Sequence, residues 1–153
     1  MEAQMKAQIV TCNCVGVYTH ALTRGKHYDV VGHDEGRYRI VGDHGRRVWI
    51  SQSYFELGLV PILIMIDWKF DDDVTAVNIV EVTITFNDGS QRWCNMSTPE
   101  GLVEHFKNPM MEPPGMHSRH LIIMKTLDYN DVEKMLKDLD SQGEPEEITI
   151  PLI

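Results

Sequence analysis

The sequence predicts an α+β protein. A small antiparallel β-barrel over residues 1–58 is followed, over 59–153, by a mostly antiparallel sheet with two helices on one face. Three observations lead there. The first third alternates apolar and polar residues with a period of two and is cut by Gly- and Asp-rich turns, as in "KHYDVVGHDEGRYRIVGDHGRRVWIS". A hairpin pattern, "NIVEVTITFNDGSQRWCNMS", opens the second part. Two segments of helical periodicity, "STPEGLVEHF" and "DYNDVEKMLKDLDSQG", flank a further apolar run. The two modules are either separate domains or one packed unit.

"QIVTCNCVGVY" reads as the first strand, followed by "KHYDVVGHD", "GRYRIVGD" and "RRVWIS". Tyr28, Val30, Tyr38, Ile40, Val48 and Ile50 supply their period-two apolar positions. The connectors "GHDEG" and "GDHG" fit tight hairpins, because Gly, Asp and His accept the positive φ such loops need. A short "SQSYFEL" turn then closes the barrel. After Gly58, "VPILIMIDWKF" reads as a buried strand. Val80, Val82, Ile84 and Phe86 alternate with polar residues, Asn87 to Ser90 turn the chain, and Trp93 begins the returning face. Ser97 or Thr98 caps the first helix, with Pro99 and Glu100 in its first turn and Leu102, Val103 and Phe106 at helical spacing. The Pro-rich "KNPMMEPPGMHSR" is a loop, and "HLIIMKTL" a strand. In the second helix Asp128 is the N-cap, Val132, Met135, Leu136 and Leu139 share a face, Glu133 pairs with Lys137, and Gly143 stops it. "EITIPLI" is the final strand, giving the order β-β-β-α-β-α-β over the second part.

Composition narrows the function. The longest apolar run, Leu57 to Ile66, contains a Gly and a Pro and is too short to span a membrane. The N-terminus lacks a charged segment leading into an apolar one, so export is not indicated and the expected compartment is the cytoplasm. Cys12, Cys14 and Cys94 have no disulfide-framework spacing and read as thiols. The net charge of −9 is uneven: seven basic residues face six acidic ones through position 59, and seven face seventeen thereafter. Such a field repels a phosphate backbone and attracts a basic protein.

The motif at issue is "DWKFDDDVTA", in which Asp67, Trp68 and Phe70 lead into Asp71, Asp72 and Asp73. A cation site needs oxygens converging on one point, whereas neighbouring strand residues face opposite ways, and the Gly of a calcium loop is missing. The better reading is a solvated, edge-blunting loop, or an acidic patch for a protein, helped by a second acidic run at Glu144, Glu146 and Glu147. Cys12 and Cys14 share a strand face, and His117 and His120 are three apart, but neither pair has further ligands at a zinc-like spacing. Cys94, beside Trp93, reads as core rather than nucleophile. Motifs of serine hydrolases, zinc proteases, phosphate-binding loops and dinucleotide folds are missing, so no enzyme and no cofactor is expected. Arg37 and Arg39 share a face, and Arg46 and Arg47 lie near Trp49, which allows single-strand nucleic-acid binding, although a solvated outer face is the better-supported reading.

Two resemblances add expectations. "LTRGKHYDVVGHDEGRYRIVGDHGRRVWISQSYFE" resembles the small Src-homology-3-like barrels of bacterial and phage proteins, which implies an interaction scaffold without chemistry of its own. "VTITFNDGSQRWCNMSTPEGLVEHF" through "HLIIMKTLDYNDVEKMLKDLDSQGEPEEITIPL" is similar to bacterial immunity proteins of polymorphic-toxin or contact-dependent inhibition systems. That resemblance implies a cytoplasmic inhibitor whose cognate partner is a basic, nuclease-like toxin domain. Asp71–Asp73 and the Glu144–Glu147 edge would stand in for phosphates, with Trp68 and Phe70 as anchors. Its alternatives are a module binding nucleic acid or a small ligand through the barrel, and a phage-encoded inhibitor of host defence.

Overall fold

The computed structural model describes residues 8–143 and 145–152, apart from the side chains of Pro145 and Glu146. The chain is α+β and divides into two compact units: one runs through Ile64 and takes in Ser141–Gly143, and the other holds Met65–Asp140 and the C-terminal segment.

The first unit is a five-stranded antiparallel sheet of β1 (Gln8–Cys12), β2 (His27–Asp34), β3 (Arg37–Val41), β4 (Arg47–Ser51) and β5 (Phe55–Leu57), in the order β4-β3-β2-β1-β5. It curls into a half-barrel. The expected closure is not made: β4 and β5 are joined through a 3-10 turn, Gln52–Tyr54, yet they remain the two ends of the sheet. The period-two pattern sets which side faces in. Val10, Cys12, Tyr28, Ile40, Ile50 and Phe55 form the core with Val15 and Leu22, and Val30, Tyr38 and Val48 pack against it. Gly36 and Gly45, at φ +78° and +81°, provide the left-handed residues of the two hairpins. Asp43 staples the second hairpin to the segment before β2. Its N–H donates to the Ala21 carbonyl, and its carboxylate accepts from Thr23 Oγ1 (2.7 Å), Lys26 Nζ (2.7 Å) and Tyr28 OH (2.9 Å). Partial burial works to raise the Asp43 pKa, but the donors from Lys26, Thr23 and Tyr28 together outweigh it and hold the group below the usual carboxylate range.

The second unit is built on β6 (Met65–Phe70), β7 (Ile79–Phe86) and β8 (Gln91–Ser97), with β10 (Ile150–Pro151) antiparallel and β9 (Leu121–Ile123) parallel along the far side of β8. The sheet order is β10-β8-β7-β6. Register places Trp68 opposite Ile84, Phe70 and Cys94 opposite Val82, and Met96 opposite Val80, so these side chains share one face. Helix α2 (Tyr129–Ser141) buries Val132, Leu136 and Leu139, and its Tyr129 ring stacks on Trp68 at 4.6 Å. Helix α1 (Pro99–Phe106) starts at Thr98, whose Oγ1 accepts from Gly101 N–H. It buries none of its residues.

Four expected strands are shorter than their runs: β1 stops at Cys12, β9 is Leu121–Ile123 alone, and two more are cut at prolines. Residues 59–64 stay outside β6, and Pro145–Ile148 forms a single helical turn, α3, leaving two residues of the final strand. Proline explains both: Pro61 lacks the N–H a ladder needs, and Pro145 is suited to the first turn of a helix.

Ile40 is fully buried at the centre of the first unit. Ile40→Ala is expected to cost about 2–5 kcal/mol, seen as a lower urea midpoint in unfolding followed by circular dichroism.

Candidate protein interface

Strand β6 is the edge of the second sheet, and the carboxylates cluster along it. Its partner β7 sets the alternation. Asp67 lies opposite Thr85 and Lys69 opposite Thr83, while the Asp71 N–H donates to the Glu81 carbonyl at 2.8 Å. Asp67, Lys69 and Asp71 therefore face away from the helix-covered side, while Trp68 and Phe70 face into it.

Each carboxylate answers a local donor. Asp67 Oδ1 accepts from the Trp68 N–H at 2.9 Å, and Asp71 Oδ2 accepts from Thr83 Oγ1 at 2.6 Å. Asp72 Oδ2 accepts from the Glu81 N–H at 2.9 Å. Asp73 Oδ1 accepts from both the N–H (2.9 Å) and Oγ1 (2.7 Å) of Thr75, closing a turn in which Ala76 N–H donates to the Asp73 carbonyl. These Thr75 bonds hold the Asp73 carboxyl below its ordinary value. The four aspartates thus carry negative charge on a scaffold that fixes their positions, and Glu81 is exposed beside them. Lys69, 3.9 Å from Asp71, is the cation among them on this strand.

The expected site is only partly assembled. Trp68 is 5% exposed, stacked on Tyr129 and edge-on to Phe70 at 5.0 Å, with its indole N–H buried and unpartnered. It is a core residue that supports the surface and does not itself reach a partner. Phe70 is half-buried. Glu144 and the side chain of Glu146 lie outside the described residues. Glu147 is exposed in α3, which leads into β10, the edge opposite β6. Three strand spacings, about 14 Å, separate those edges, so Glu147 stands apart from the aspartates of β6.

Sequence reasoning missed Tyr129, Thr83 and Glu81. Tyr129 is 56% exposed at the rim of the aromatic stack. Its spacing to Val132 and Leu136 on the apolar stripe was the available signal. Thr83 and Glu81 occupy the polar positions of β7, and only the register reveals that they meet Asp71 and Asp72.

Burial pushes the thiols of Cys12 and Cys94 up to about 12, leaving them protonated and poor nucleophiles near neutrality. Among the described residues no three His, Cys, Asp or Glu side chains form a metal-holding group. No helix is long and apolar enough to cross a membrane, again among the described residues. A cleft of about 560 Å³ between the end of β9 and α2 combines Ile123 and Met135 with Lys125, Lys134, Asp131 and Asp138, a lining with no net charge.

A lowered folded pKa means that the stabilisation from ionised Asp73 is complete above the unfolded value and is lost as pH falls through the folded one. Asp73→Ala is therefore expected to lower the melting temperature at neutral pH. Its deficit against the unmodified chain should narrow as pH drops below 3.8, as thermal scans across that range would show. Comparison with known families, curated proteins and solved structures finds no match, so the reading of this edge rests on its own geometry.

Proposed function

We propose that this chain is a non-catalytic inhibitor of the immunity type, which neutralises a basic, nuclease-like toxin domain by covering it with the β6–β7 edge. The observation that carries the reading is the set of pre-positioned carboxylates Asp67, Asp71, Asp72 and Asp73, most of them exposed and each held by a local hydrogen bond, with exposed Glu81 beside them. Fixed charges lose little freedom on binding and steer a cationic partner during encounter. Tyr129, rigidly backed by Trp68, supplies the exposed aromatic contact that the buried Trp68 cannot. In this reading the first unit is a Src-homology-3-like barrel serving as a scaffold. Its five antiparallel strands, with a 3-10 turn before the last, support that comparison.

Asparagine is the informative replacement, because it keeps the acceptor oxygen while removing the charge. Immobilised unmodified chain and the D71N/D72N/D73N variant are exposed to lysate of the source cell at low salt and eluted with rising salt. The expected result is one basic protein held by the unmodified chain and released at lower salt by the variant. Its association rate with the variant should be roughly tenfold lower, with a flatter salt dependence. Equal retention and equal rates, with both proteins shown to be folded by their thermal transitions, would overturn the proposal.

A further inference from the structure

The first unit carries a surface of the opposite sign. On the outer face of its sheet, register aligns Gly32, Arg39 and Trp49 in one row across β2, β3 and β4. The Trp49 ring reaches along that row: a methyl group at Gly32 would lie 3.6 Å from Trp49 Cη2 and 3.4 Å from Arg39 Cβ. Glycine thus leaves the floor bare where the indole crosses. The guanidinium carbons of Arg37 and Arg39 stand 5.2 and 5.7 Å from the indole centroid.

Those two arginines differ in pairing. Arg37 binds Asp34 through two nitrogens, at 3.2 and 2.5 Å. Arg39 and Arg47 have no carboxylate partner among the described residues, and Arg39 Nε is buried without an acceptor. An arginine stacked on an aromatic ring keeps the N–H groups in its own plane directed outward, a fork that matches phosphate oxygens.

We propose that this face binds single-stranded nucleic acid, with Arg39 and Arg47 on phosphates and Trp49, 37% exposed, as the stacking platform for a base. The site belongs to the first unit and the acidic edge to the second. Arg47 lies opposite Val41 and Trp49 opposite Arg39, so Arg47 stands one strand across and two residues along from Arg39, about 8 Å away. An acidic peptide would satisfy the arginines but leave the indole without a planar partner.

The test is fluorescence anisotropy of a short labelled single strand, DNA and RNA in turn, with the full chain at low salt. Binding is expected to weaken about tenfold in Arg39→Gln and in Trp49→Leu. The logarithm of affinity should fall with the logarithm of salt by roughly 0.7 per phosphate contacted, and Arg47→Gln should remove about one contact from that slope. The D71N/D72N/D73N variant should bind as the unmodified chain does. Thermal unfolding checks each variant, and the two glutamine substitutions keep the test decisive if Trp49→Leu fails to fold. No binding at low salt, affinity unchanged in both glutamine variants, or displacement of the strand by polyglutamate at equal charge would each overturn the proposal.

Discussion

A strand at the edge of a sheet leaves alternate backbone groups facing outward, where another chain can pair with them. In the second unit β6 stands at that edge, and the aspartates around it deal with the problem. Asp67 turns its carboxylate onto the next residue's N–H, and the ladder is interrupted by a register shift between Met65 and Asp67. Beyond the strand's end, Asp71 and Asp72 tie the chain back to Thr83 and Glu81, and Asp73 organises the turn that follows. The same groups that discourage indiscriminate strand pairing are the ones available to attract a cation-rich surface. Blunting an edge and recognising a partner are therefore compatible uses of one set of charges.

The aromatic layer explains how an edge strand stays in place with pairing on one side only. Tyr129, Trp68 and Phe70 form a continuous row of ring contacts, so β6 is clamped by helix α2 from the core face while β7 holds it laterally. Area arguments put the burial of a large side chain at about 1.5–3 kcal/mol, comparable with several exposed hydrogen bonds. That the Trp68 N–H has no acceptor indicates that ring packing governs the position of this indole.

Much of the fold was legible in the sequence because its signals are local. Alternation located β2, β3, β4, β7 and β8; Thr98 capped α1; and the apolar stripe of α2 became its buried face. What local signals could not supply was lateral order. Whether β6 and β10 sit side by side or at opposite edges depends on which strands pair, so the separation of Asp71–Asp73 from Glu147 was not legible in the sequence. Trp68 was misplaced for a related reason: its neighbours in sequence are charged, while its neighbours in space are Ile84 and Tyr129. Closure of the barrel was likewise a property of its two ends, β4 and β5, which come from the same short stretch of chain yet do not pair.

The two hairpin turns of the first unit differ in a way that matters for anyone altering the molecule. The turn at Asp43 is stapled through four hydrogen bonds to the segment that precedes β2, so it belongs to the framework. The turn at Gly36 has open space around it, with nothing within 4 Å of where a side chain would begin. Inserted sequence or a chemical label can therefore enter beside Gly36 with little disturbance, whereas the Asp43 carboxylate must be kept for its turn to hold. Strand β3 thus connects a turn that is tied to its neighbours with one that is not, and the untied turn offers a handle for attaching the molecule to a surface or a reporter.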